Sequence, residues 1–279
     1  MIMRKDFLEN KILLNSARNC LKYILRAYKI PKIHLPYFIC PIVRQAIREE
    51  NVKTEFYHLD KNFMPVENFS DEEYILYPNY FGLCDEQTEI LAKKYPNLIS
   101  DNAHAFFAPK KGIASFYSPR KFFAVNDGGI LEINKKISDI FEQDEDRTIE
   151  IKDFDSFCKN EISIDNEPPK LMSKKTINLL KNINFEEKIE KNRKIYAKIA
   201  QKLQKSNILT LKLTDNSVPM CYPFLTKNFK EEKQLAQMLE AEGIYLIKYG
   251  SNLPSTYPEF EFTKILMIPL TKKVSKFFD

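Results

Sequence analysis

The chain has 279 residues, 44% of them apolar and 29% charged, and 43 Lys and Arg against 38 Asp and Glu leave a net charge of +5. That composition supports a buried core and excludes a globally disordered chain. So small a charge, with Lys and Arg interleaved among Asp and Glu in the C-terminal half, describes a solvated mixed surface and not a nucleic-acid-binding stripe.

The longest uncharged apolar runs, such as residues 265–270, fall far short of the roughly 20 residues of a membrane span. Residues 1–10, with Arg4, Lys5, Asp6 and Glu9, do not resemble a signal peptide. A cytoplasmic protein is expected. Its five cysteines, Cys20, Cys40, Cys84, Cys158 and Cys221, lie far apart without metal-ligand spacing and read as reduced thiols.

In chain order, residues 15–29 carry Leu21, Ile24 and Leu25 at helical spacing behind Asn15 and Ser16. A short strand follows at 32–38, a helix at 42–50 and a strand at 52–59. Further strands are expected at 73–80, 97–100, 113–118 and 129–133, with a helix at 86–94. Strands alternating with helices predict an α/β fold: a mostly parallel sheet covered on both faces, its ligands at the carboxyl ends of the strands. From about Lys135 the composition changes. Residues 137–169 are acidic and weakly periodic, with Pro168-Pro169 as a linker. A long lysine-rich helix at 180–205, a strand at 212–224, a helix at 230–241 stopped by Gly243 and a strand at 265–270 predict a second, α+β unit.

Three clusters carry candidate chemistry, each with a plain structural alternative. Asp101-Asn102-Ala103-His104-Ala105 follows an apolar strand, where an Asp also caps turns. The run from Ser115 through Ser118, Arg120 and Lys121 leads to Gly128-Gly129, and glycine is wanted where backbone turns sharply or nears a ligand. Asn15-Ser16-Ala17-Arg18-Asn19 opens a helix, whose free N–H groups suit a phosphate or simply need an N-cap. His34 and His58 fall inside strands without paired ligands and read as structural, so no metal site is expected.

In this order the clusters resemble the DegT/StrS-type nucleotide-sugar aminotransferases, fold-type-I enzymes that use pyridoxal 5'-phosphate (PLP). Ser16-Ala17-Arg18-Asn19-Cys20-Leu21 resembles the family's phosphate turn, and Asn79-Tyr80-Phe81-Gly82 with Asp85 a strand end. Asp101–Ala105 resembles its Asp-Ala-Ala-Gln/His-Ala, and Ser118 to Gly129 the segment that holds the Schiff-base lysine. Arg193 with Tyr196, Val218-Pro219, Gly243-Ile244 and Ile268-Pro269-Leu270 resemble its small domain.

The resemblance implies a large PLP-binding α/β domain over residues 1–165 and a small α+β domain over 166–279. It implies Lys121 as Schiff-base lysine and base, Asp101 as partner of the pyridine nitrogen, and His104 beside the ring. It implies phosphate contacts from Ser16, Ala17 and Arg18, helped by a hydroxyl from Ser115 or Ser118. The aromatic stacking position falls on Cys40, with Tyr37 or Phe38 as substitutes, and Tyr117, Phe122 and Phe123 are expected to shield Lys121. The function implied is transfer of an amino group from a donor such as glutamate to a keto-sugar, nucleotide-linked, in polysaccharide or glycan biosynthesis, by a homodimer. The alternatives are a lyase, decarboxylase or dehydratase on the same scaffold and a non-catalytic sugar-nucleotide binder. The chain is shorter than typical members between Gly129 and the small domain.

Overall fold

The computed structural model of the chain describes residues 7–151, 153–250 and 264–279. The reading of residues 1–10 therefore falls mostly outside the described residues. The first half winds through β1 (Ile12–Leu14), α1 (Ala17–Tyr28), β2 (Lys32–Pro36), α2 (Pro41–Glu49), β3 (Lys53–Tyr57) and β4 (Tyr74–Pro78). It continues with α3 (Asp85–Lys94), β5 (Leu98–Asn102), β6 (Ala114–Tyr117) and β7 (Gly129–Ile133). These strands form one sheet of order β1-β7-β6-β5-β4-β2-β3. β7 is antiparallel to both β6 and β1, while the other pairings are parallel, so six strands run one way and β7 alone runs back.

The sheet is buried on both faces, and alternation along each strand divides its side chains between two cores. Leu76, Ile99 and Phe116 face the layer built by Leu21, Ile24 and Ile47 of α1 and α2. Ile75, Tyr77 and Leu98 face the opposite layer. α1 starts where Ser16 Oγ accepts the Asn19 N–H at 3.2 Å and stops at Lys29 in the left-handed region.

The second half holds α4 (Phe154–Ser163), α5 (Lys174–Lys181), α6 (Phe185–Leu203) and α7 (Phe229–Ala241). β8 (Cys221–Phe224), β9 (Ile247–Tyr249) and β10 (Ile265–Pro269) form an antiparallel sheet of order β8-β10-β9, and α8 (Lys272–Phe277) follows. Phe224, Leu266 and Ile268 of this sheet lie in the same apolar core as Tyr77, Tyr80 and Phe81.

Four local expectations change. The single helix over 180–205 is two helices, broken where Asn184 Oδ1 accepts the Glu187 N–H at 3.1 Å and caps α6. The strand over 212–224 forms only at Cys221–Phe224. The stretch 137–169 contains α4, started by a capping box between Asp153 and Ser156. Pro168-Pro169 is no free linker: Asn15 Nδ2 donates to the Pro168 carbonyl at 3.1 Å, and the Met172 N–H donates to Leu13 at 3.0 Å. Among the described residues no helix is long and apolar enough to cross a membrane.

Candidate active site at the strand ends

The carboxyl ends of β1, β2, β4, β5 and β6 converge on one cavity, where α1 begins. Ala17, Arg18, Cys40, Asp101, His104, Ser118 and Lys121, all singled out in the sequence, line it together.

Asp101 sits one residue before the end of β5, and its carboxylate is buried. Burial drives its pKa up to about 6, against the pull of the Ala103 N–H, which donates to Oδ1 at 2.9 Å, and of the Lys121 charge. A carboxyl held there at such cost has room for one strong cationic or protonated partner. His104 follows on the same loop. Its ring stacks on Phe81 at 5.9 Å and meets the Tyr249 ring edge-on at 5.5 Å. Burial, then the Lys121 charge, pushes its pKa well below the ordinary histidine value, so the ring is neutral. Gly82 makes this corner possible: a Cβ there would stand 2.8 Å from the His104 carbonyl and 2.5 Å from that of Val218.

Lys121 closes a 3₁₀ turn, Pro119–Lys121, just after β6. The turn sends Tyr117 and Phe122 into the core but leaves Lys121 exposed at the cavity, contrary to the shielding expected from its flanks. Ser118 precedes the turn. It is 1% exposed, and its Oγ is buried without a hydrogen-bond partner. A buried hydroxyl left empty costs free energy unless a ligand oxygen completes it.

Two expected phosphate contacts are not brought to the cavity. Ser115 lies on the β6 face behind it, where its Oγ accepts the Lys111 N–H at 2.9 Å and donates to the Lys111 carbonyl at 3.1 Å. Ser16 is spent as the α1 cap. The aromatic substitutes for Cys40 are also engaged elsewhere. Tyr37 stacks on Phe56 at 5.1 Å, and Phe38 packs among Phe63, Tyr80 and Tyr249. Cys40 itself, the residue before α2, is half-buried at the cavity wall.

Arg120, part of the second sequence cluster, also lines the cavity, whereas sequence reasoning missed Glu161 and Tyr249 as cavity walls. Arg120 pairs with Glu161 of α4, and Arg18 with Asp165 at 2.6 Å. Tyr249 arrives from β9, a three-residue strand too short to give a periodic signal. His34 and His58 lie away from the cavity. His34 Nε2 is 2.9 Å from Glu73 and 3.7 Å from Glu55, and the Lys32 ammonium, 3.2–3.4 Å from the same carboxylates, supplies their countercharge. His58 pairs with Glu67.

The strand order, the lone reversed strand β7 and the placement of the cavity define the fold of the fold-type-I PLP-dependent aminotransferases. Within that fold, the solved structures similar to this chain include aminotransferases of the DegT/DnrJ/EryC1/StrS kind. Spr1654 of Streptococcus pneumoniae, assigned as a sugar aminotransferase and solved in its PMP form, matches over 98% of this chain and 86% of its own, with TM-score 0.67 and 15% identity. PseC of Helicobacter pylori, an aminotransferase involved in the biosynthesis of pseudoaminic acid, matches over 98% and 85%, with TM-score 0.65 and 14% identity. A DegT DnrJ EryC1 StrS aminotransferase of Brucella abortus matches over 98% and 84%, with TM-score 0.62 and 14% identity. At such identity the likeness is one of fold. No protein-family profile matches the chain, and no curated protein matches it in sequence.

Proposed function

We propose that the protein is a PLP-dependent aminotransferase that converts a keto-sugar, carried on a nucleotide, to an amino sugar with an amino-acid donor such as glutamate. One observation carries the reading: a buried carboxylate, an exposed amine and an orphaned buried hydroxyl meet at the strand ends beside the start of α1. The residues present fit the cofactor. The unpartnered Ser118 hydroxyl, the first-turn N–H groups at Ala17 and Arg18, and the two guanidinium groups suit a phosphate.

The bound cofactor supplies an electron-withdrawing ring on which amino groups are exchanged. Asp101 would hold a proton on the ring nitrogen and gain there the cationic partner its burial lacks. Lys121 Nζ would anchor the cofactor and, once freed by the incoming amine, would take and return the proton at the substrate carbon. Neutral His104 and Tyr249, which line the cavity, would help to exclude water from it. The fold-level likeness to sugar aminotransferases supports the keto-sugar acceptor.

A homodimer is part of this reading, because Lys121 is exposed and a second copy would cover the cavity. The proposed location is cytoplasmic, and the domains proposed are 1–165 and 166–279.

The test is a visible spectrum of protein loaded with PLP, before and after borohydride, with peptide mass analysis. An absorbing adduct fixed on Lys121 and missing from Lys121→Ala is expected, and glutamate should convert the bound cofactor to its amine form. No adduct at saturating PLP sinks the cofactor reading. An adduct that no amino acid converts sinks transamination and leaves the lyase chemistry.

A further inference from the structure

We propose that α4 is a built-in anion plug: Glu161 and Asp165 occupy Arg120 and Arg18 as a phosphate would, and a phosphate-bearing ligand enters by displacing both carboxylates and releasing the helix. The inference rests on reading the start of α1 as a phosphate subsite. Arg18 lies in the first turn of α1, and Arg120 lies between Ser118 and Lys121. Their side chains are only 6% and 11% exposed, and each is answered by one carboxylate of a single five-residue stretch. A buried guanidinium stripped of its anion is costly, so whatever leaves must be replaced by another anion.

The replacement matches in charge and geometry. Two carboxylates carry −2, and a phosphate monoester carries about −1.5 to −2 at neutral pH. Phosphate oxygens also take the planar fork of arginine in paired hydrogen bonds. The carboxylates leave donors unused: Nε of Arg18, Nε of Arg120 and the Ser118 hydroxyl are buried without partners. A tetrahedral anion has oxygens enough for all three.

α4 is held weakly. Among its described side chains only Asn160 is buried, through an exchange of hydrogen bonds with Asn126, and Ile162 is 75% exposed. Beyond these, Ile164 at the helix C-cap is its one buried apolar anchor among the described side chains, and an element with so few apolar contacts opens at lower cost than the core. With Glu161 in its wall the cavity has a volume of about 100 Å³, below the ~300–1,000 Å³ of ligand pockets. Displacing α4 enlarges it.

The test combines calorimetric binding of inorganic phosphate to wild type and to the Glu161→Gln/Asp165→Asn double variant with hydrogen exchange of the α4 amides. Both substitutions keep shape at partly exposed side chains, and the exchange experiment needs only wild type. The double variant is expected to bind phosphate about tenfold tighter, since two partly buried ion pairs no longer compete. Saturating phosphate should speed exchange across residues 154–163 in wild type, and pyridoxal without its phosphate should not. Equal or weaker phosphate binding by the double variant, or α4 protection unchanged by phosphate, overturns the plug. If phosphate frees α4 but PLP leaves no borohydride-fixed adduct on Lys121, the plug stands and the cofactor reading falls. If PLP is fixed on Lys121 while α4 stays protected, the reading stands and the plug falls.

Discussion

Gly129 packs against the backbone of Ser16 so closely that a Cβ on it would lie 2.2 Å from the Ser16 carbonyl oxygen and 2.5 Å from the Ala17 nitrogen. The first residue of β7 thus sets where α1 starts, and with it the position of Ala17 and Arg18. Both atoms are backbone and have no rotamer by which to yield. Gly129→Ala is therefore expected to destabilise the protein by about 1–3 kcal/mol and to weaken phosphate binding. A denaturant titration and a phosphate isotherm on the same variant check both; an unchanged isotherm would separate β7 from the anion subsite.

Asp101 is a stability liability in the ligand-free protein. Its pKa rises from an unfolded value near 3.9 to about 6 in the fold. The folded state therefore holds the proton more tightly, and the associated stability, full below pH 4, is lost as pH rises through 6. The loss amounts to about 3 kcal/mol at neutral pH. Asp101→Asn keeps an acceptor for the Ala103 N–H and removes the titration. It should be more stable than wild type at pH 7, equal to it near pH 4, and weaker in binding PLP. Denaturant midpoints across that range give the answer.

His104 shifts the other way. Its folded pKa lies well below the ordinary value of about 6.5, so its contribution to stability is present above pH 6.5 and is lost as pH falls below it. NMR should find the His104 ring still neutral at pH 5.5, where a histidine peptide is mostly charged. A ring that titrates normally would mean that the Phe81–Tyr249 corner is open to water.

Ser118→Ala separates binding from folding. The orphaned hydroxyl costs the ligand-free protein about 1–3 kcal/mol, so its removal should raise the melting temperature. Loss of a hydrogen bond to a charged group should weaken phosphate binding about tenfold or more. If stability and affinity fall together, Ser118 is structural and the subsite lies elsewhere.

The sequence made the large sheet legible because its strands are short apolar runs bounded by polar turns. β2 to β7 each lie within two or three residues of the expected ends. The clusters holding Asp101, His104 and Lys121 follow such runs, where strand ends gather in an α/β fold, and the family resemblance singled out these three residues within them. Ser115 misled because β6 alternates faces: Ser115 and Tyr117 share one side and Phe116 the other, so two nearby serines do not face the same cavity. α4 was invisible because none of its described apolar side chains is fully buried, and its Glu161 meets Arg120 only across 41 positions in sequence. Tyr249 is further removed still, reaching His104 across 145 positions in sequence.

Because Tyr80 and Phe81 share one apolar core with Phe224, Leu266 and Ile268, neither sheet has a dry face of its own on that side. A chain cut ahead of the second sheet would leave a broad aromatic surface facing water, and the fragment would clump. The intact protein should melt in one cooperative step, with calorimetric and van't Hoff enthalpies in agreement, so that a lesion in the C-terminal strands dismantles the cavity at the far end of the chain.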